Sequence, residues 1–147
     1  MASVAAMAAV DARIATYWNV VDPDPANGGV AIPYLGLNET GDAPAGVSAF
    51  LAVQYPIANA QQISIGAPGA EVFREEGGIG FVLSIARGQG IAWWTQQLEA
   101  LTANFRAKKF AGVNTWAPTS PVFDDTNDRA SHYRLTAVVP YYLDALG

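Results

Sequence analysis

Near the start of the chain, apolar residues recur at three- and four-residue steps: Met7, Val10, Ile14, Tyr17 and Trp18. That spacing is one face of a helix, and Ser3 can supply an N-cap oxygen, so residues 3–18 are predicted to be an amphipathic helix. Asp22-Pro23-Asp24-Pro25 ends it, because a residue before proline avoids the helical region. Residues 29–37 read as a short strand in which Pro33, lacking an N–H, suits an edge. A polar loop runs from Asn38 to Gly46. Residues 48–58 then alternate, with Ala49, Leu51, Val53, Tyr55 and Ile57 on one face and Phe50, Ala52 and Gln54 on the other. Pro56 again marks an edge or a strand end.

Polar, Gly-containing residues 59–70 predict a hairpin excursion. The clearest strand follows at 79–87, where Ile79, Phe81, Leu83 and Ile85 form a large apolar face and Gly80, Val82, Ser84 and Ala86 a small one. The large face is expected to meet a helix, and the small face lets another backbone approach. Gly88-Gln89-Gly90 opens a helix whose stripe is Ile91, Trp94, Leu98, Leu101 and Phe105. Arg106, Lys108 and Lys109 are placed in its last turn, favoured by the helix dipole, and Gly112 stops it. An irregular or bent strand is expected over 113–123 and a turn over Asp124–Asp128. A final strand over 131–142 alternates Tyr133, Leu135, Ala137, Val139 and Tyr141 against His132, Arg134, Thr136 and Val138. These elements predict a single α+β domain over residues 1–147. Its mostly antiparallel sheet packs against an N-terminal helix and one central helix, with a long hairpin excursion.

Composition changes the picture in one respect. Of 147 residues, 51% are hydrophobic and only 14% charged, against about 25% charged in an ordinary domain. Much of the folded surface must then be apolar or weakly polar, which subunits of assemblies use and monomers avoid. The net charge of −5 argues against broad electrostatic binding to a nucleic-acid backbone. No apolar run approaches the roughly 20 residues of a membrane helix. The basic residues that open a signal peptide are not seen ahead of the first apolar run, since Arg13 comes after it.

Candidate chemistry is sparse. Cys is absent and His132 is the one histidine, so thiol nucleophiles, thiolate metal sites and His clusters are excluded. No Gly-x-Ser-x-Gly elbow accompanies His132. Asp124, Asp125 and Asp128 are the best metal candidates, but an EF-hand needs Gly sixth and Glu twelfth, and the sixth residue is Arg129. Glu75 and Glu76 are adjacent, so in a strand they point to opposite faces and form no dyad. Gly66-Ala-Pro-Gly69 and Gly77-Gly-Ile-Gly80 lack the Lys-Ser/Thr of a P-loop, and Gly88-Gln-Gly90 lacks the third Gly of a dinucleotide fingerprint. The chain is therefore read as a binding protein with no catalytic residue, metal or cofactor.

The assembled pattern resembles a family. An N-terminal helix precedes a short strand with Pro33, then Phe50-Leu-Ala-Val-Gln-Tyr55 and a polar excursion through Gly66-Ala-Pro-Gly69. Arg74-Glu-Glu-Gly-Gly-Ile-Gly-Phe-Val-Leu-Ser-Ile85 follows, then a Gly-led helix reaching Ala103-Asn-Phe105 and a closing Val139-Pro-Tyr-Tyr142. Over nearly its whole length this is similar to the tail terminator (tail completion) proteins of long-tailed bacteriophages and phage-derived particles, departing from them in the long segment 113–130. The resemblance implies a homohexameric ring that sits on the end of the tail tube and stops its growth. The ring would offer a surface to head–tail connector proteins while DNA passes unread through its lumen. The implied place is the neck of the virion, after assembly in the host cytoplasm.

A ring needs flanks that match after a fixed rotation. The small face of 79–87 and the edges with Pro33 and Pro56 are candidates. Arg74, Glu75 and Glu76 form a charge cluster in a charge-poor chain and are expected, with Tyr55, Ile63 and Ile65, at a subunit or tube interface. The competing readings are a head–tail joining protein or tube subunit, a small acid-based enzyme around Asp124–Asp128, and a monomeric binding module.

Overall fold

A computed structural model describes residues 3–35, 46–66, 68–86, 88, 90–124 and 132–146. The fold is α+β, as the alternation patterns predicted. Helix α1 spans Val4–Tyr17 and α2 spans Ala92–Ala103. The strands are β1 (Tyr34–Leu35), β2 (Ala49–Gln62), β3 (Val72–Ala86), β4 (Lys109–Phe110), β5 (Val113–Thr115), β6 (Val122–Asp124) and β7 (His132–Leu146). They form one sheet ordered β1-β2-β3-β7-β5-β4, with β6 also pairing β7. Every pairing is antiparallel except β1 with β2. Both helices contribute to one core on the same sheet face. Ala6, Val10 and Ile14 of α1 and Trp94, Leu98 and Leu101 of α2 join Leu51, Phe81, Leu83, Leu135 and Val139.

The N-terminal helix keeps its predicted cap, the Ser3 hydroxyl accepting from Ala6 N–H at 3.3 Å. Its buried face is Ala6, Ala9, Val10 and Ile14, while Tyr17 is 42% exposed. Two alanines let the helix lie close on the sheet, which rotates the buried stripe away from Met7 and Tyr17. The helix also ends before the Asp-Pro pairs, at Tyr17. Trp18 turns extended and its indole N–H donates to Ile32 O at 3.0 Å. Asp22 is buried and ties the following loop together. It accepts from Asp24 N–H, Ser48 N–H, the Ser48 hydroxyl and the Asn27 amide at 2.7–2.9 Å. Of the strand expected over 29–37, the described residues 29–35 form Tyr34–Leu35 and one bridge from Ala31 to Val21; Gly36 and Leu37 lie outside the described residues. The polar loop from Asn38 lies largely outside the described residues.

The pattern of β2 holds for Ala49, Leu51, Val53 and Tyr55, all buried, and then fails at Ile57, which is 59% exposed. The register shifts between Gln54 and Ile57. One extra residue, next to Pro56, turns Ile57 to the opposite face, as a bulge does. Gly77 faces this bulge. A Cβ there would lie 2.1 Å from Ile57 O, so only glycine fits. Beyond the bulge, Asn59–Gln62 are exposed on both faces of the sheet. The long hairpin of β2 and β3 thus projects past the helices, as expected.

Helix α2 buries Trp94, Leu98 and Leu101 but stops at Ala103, well short of Gly112. Phe105 still reaches the core, 5.0 Å from the Phe81 ring centroid. Arg13 takes the place a dipole-capping cation would have. Its Nε donates to Asn104 O at 2.8 Å, and its guanidinium lies over Tyr17 and Phe110. The bent strand expected over 113–123 is two short strands beside β7. The link between them, with Pro118 and Pro121, follows β7 through Trp116 N–H to Pro140 O and Thr119 N–H to Val138 O, both 2.9 Å.

Candidate partner-binding surface

Paired residues across strands share a face, and the registers place the expected interface residues unambiguously. Arg74 sits between Gln61 and Asp144 on the face away from the helices. Its guanidinium grips Asp144 through Nε–Oδ1 at 2.7 Å and Nη2–Oδ2 at 2.9 Å, and stacks 4.4 Å from the Tyr142 centroid. Tyr142 in turn lies 5.6 Å from Trp116, tilted 38°. Hydrogen bonding to Arg74 holds the Asp144 carboxyl below its ordinary range and raises the Arg74 value further. Both groups are exposed, so this ion pair contributes little to stability and serves chiefly to fix the arginine.

Glu75 points the other way, as adjacent strand residues must. One oxygen accepts from Ser3 N–H at 3.0 Å and the other from the Tyr141 hydroxyl at 2.7 Å. Burial, then the bond to Glu75, pushes the Tyr141 hydroxyl well above the usual phenol value. Glu75 therefore anchors the start of α1 to the sheet. Glu76 returns to the outer face, exposed, between Asn59 and Tyr142.

Tyr55, expected at an interface, is 7% exposed and belongs to the core, because its side chain shares the inner face with Leu51 and Val53. Its hydroxyl is buried with no hydrogen-bond partner among the described residues. Burial, reinforced by the charge of Asp11, raises it strongly. Ile63 and Ile65 lie at the hairpin's far end, 44% and 101% exposed. Phe73, opposite Gln62, is also exposed. The tip thus carries three large apolar side chains near an uncharged edge.

Two features escaped the sequence reading. Trp116 is 57% exposed on the outer face, although its surroundings read as strand. The basic triplet is not in a helix. Arg106, Lys108 and Lys109 are exposed around β4, and none has an ion-pair partner among the described residues. Their hairpin is braced by Thr115, whose hydroxyl bonds Phe105 O and receives Lys108 N–H at 2.9 Å. Its two-residue turn has Ala111 at φ 47° and Gly112 at φ 85°, the positive pair of a type I′ hairpin. Among the described residues, no three His, Asp or Glu side chains converge as metal ligands. The Asp125–Asp128 stretch lies outside them. A groove of about 490 Å³ runs between α2 and the Pro118–Pro121 link.

No model of a known protein family matches the chain, and no curated protein matches its sequence.

Proposed function

We propose that the protein is a structural subunit that self-assembles into a ring, of the tail terminator kind. The ring caps the end of a tail tube, stops its polymerisation and presents a surface to head–tail connector proteins. It acts by binding, at the neck of a phage or phage-derived particle, and DNA passes its lumen without sequence recognition.

One observation carries this reading. The β2–β3 hairpin projects beyond the helices with its outer edge unpaired among the described residues, and its tip exposes Ile63, Ile65 and Phe73. Such a patch on a chain with 14% charge is costly to leave in water and gains by burial against a partner. A tube end supplies a ring of identical partners, which a ring of identical hairpins matches.

Electron microscopy of the protein mixed with polymerising tube subunits tests the reading. Tubes should be shorter than in the control and bear one ring at an end. Long cylinders formed by the protein alone would identify a tube subunit instead, and tubes of unchanged length without end density would refute capping.

A further inference from the structure

At the level of the projecting hairpin the sheet runs β2-β3-β7-β5-β4, along the rung Asn59, Glu76, Tyr142, Asn114, Lys109. Its two margins are the outer half of β2 and the two-residue β4. Neither is covered by another strand among the described residues.

The margins differ in charge. Around β4 stand Arg106, Lys108 and Lys109, exposed and held on a braced hairpin. Along β2, Ile57–Gln62 contains no charged residue. The acidic groups behind it are Glu76, exposed within β3, and Glu71 just ahead of that strand. The β2 margin also has backbone groups that no strand among the described residues pairs. Ile63 N–H donates to Val72 O, so alternation turns the N–H and C=O of Ala58, Ala60 and Gln62 outward. Edges of this kind are ordinarily blunted by Lys, Pro or a bulge. Here Pro56 and the bulge guard only the inner half, and no lysine follows.

We propose that the β4 margin of one copy docks on the outer β2 margin of the next, head to tail, its cations facing the neighbour's Glu71 and Glu76. This deepens the ring reading and rests on it. Joining two β4 margins would gather six cations, three from each copy, with no acidic residue in β4 or β5 to answer them. Joining two β2 margins would leave every cation unanswered. The head-to-tail contact alone matches opposite signs, and a heterologous contact that repeats closes into a ring when its rotation closes. Since β4 runs in the same sense as β2, a cyclic arrangement pairs the two strands in parallel, as β1 already pairs β2.

The test is charge exchange read by native mass. Lys108→Glu with Lys109→Glu should raise the concentration needed for assembly about tenfold. Glu71→Lys with Glu76→Lys should do the same, and all four changes in one chain should recover most of the loss. Reversals that leave assembly unchanged, or a combined variant no better than either pair, overturn the docking. Because the chain has no cysteine, cross-linking gives an independent reading. Lys109→Cys mixed with Ile57→Cys, Asn59→Cys or Gln61→Cys should form a disulfide-linked pair in at least one mixture. Bridging of the β2 variants only with themselves would overturn it. A wild-type protein that stays single refutes the ring itself, whereas a ring indifferent to these changes refutes only this docking.

Discussion

Tyr55 offers the sharpest energetic test of the structure. Its ring fills the core under α1 and its hydroxyl is buried with no hydrogen-bond partner among the described residues. A hydroxyl stripped of water without compensation costs about 1–3 kcal/mol. Tyr55→Phe keeps the ring and removes the orphaned oxygen, so the folded state should gain about 1–2 kcal/mol. In a chain of this length that raises Tm by roughly 2–4 °C per kcal/mol. Tyr141→Phe is the matched control. Its hydroxyl donates to the Glu75 carboxylate at 2.7 Å, and losing that bond should cost about 1.5–3 kcal/mol. Urea unfolding at neutral pH measures both, provided the slope m stays constant so that a change in midpoint is a change in stability. A Tyr55→Phe midpoint below wild type would show that the hydroxyl has a partner in the folded core and refute the reasoning.

Three further outcomes follow from the same geometry. Asp22→Ala should cost about 2–4 kcal/mol, since four donors lose one buried acceptor. Burial alone would raise the Asp22 carboxyl, but bonds from Asp24, Ser48 and Asn27 outweigh it and leave it below 3.8. The folded value thus lies under the unfolded one, so the contribution of Asp22 is full above about pH 4 and is lost as pH falls through the folded value. An acid titration of stability should lose that part in Asp22→Asn. Gly77→Ala should destabilise by at least about 3 kcal/mol, because the added Cβ meets the Ile57 carbonyl; a Tm within 2 °C of wild type, about what 1 kcal/mol gives, would contradict the bulge. Ala111→Asn should gain about 1 kcal/mol in thermal unfolding, by relieving a left-handed alanine in a type I′ turn.

The core of the sheet was legible because the inner halves of β3 and β7 repeat with period two, from Ile79 to Ile85 and from Tyr133 to Tyr141. Leu83, Ile85, Leu135 and Val139 follow that period without a break. Pattern failed where a local event resets it. The bulge beside Pro56 moved Ile57 outward, and nothing in the alternation of 48–58 announces an inserted residue. The end of α2 was misplaced because Phe105 continues the helical stripe while sitting in a turn, its ring filling the space by Phe81. That error hid the setting of the basic triplet, whose two lysines stand at the β4 hairpin and not in a helical last turn. Asp22 read as a helix stop because Asp-Pro is a turn signal. Its role as a buried acceptor depends on Ser48, 26 residues away, and no local window contains that. For the candidate surface, the opposite-face geometry of Glu75 and Glu76 was readable from strand period alone. The Glu75 contacts with Ser3 and Tyr141, and the exposure of Trp116, depend on which strands become neighbours.

Self-association underlies the proposed role. Native mass by light scattering or mass spectrometry, over a range of protein concentrations and at low salt, tests it most directly. A closed ring of six 15.5 kDa chains gives a single species of about 93 kDa that falls apart as salt rises. A lone 15.5 kDa species at every concentration would contradict the account.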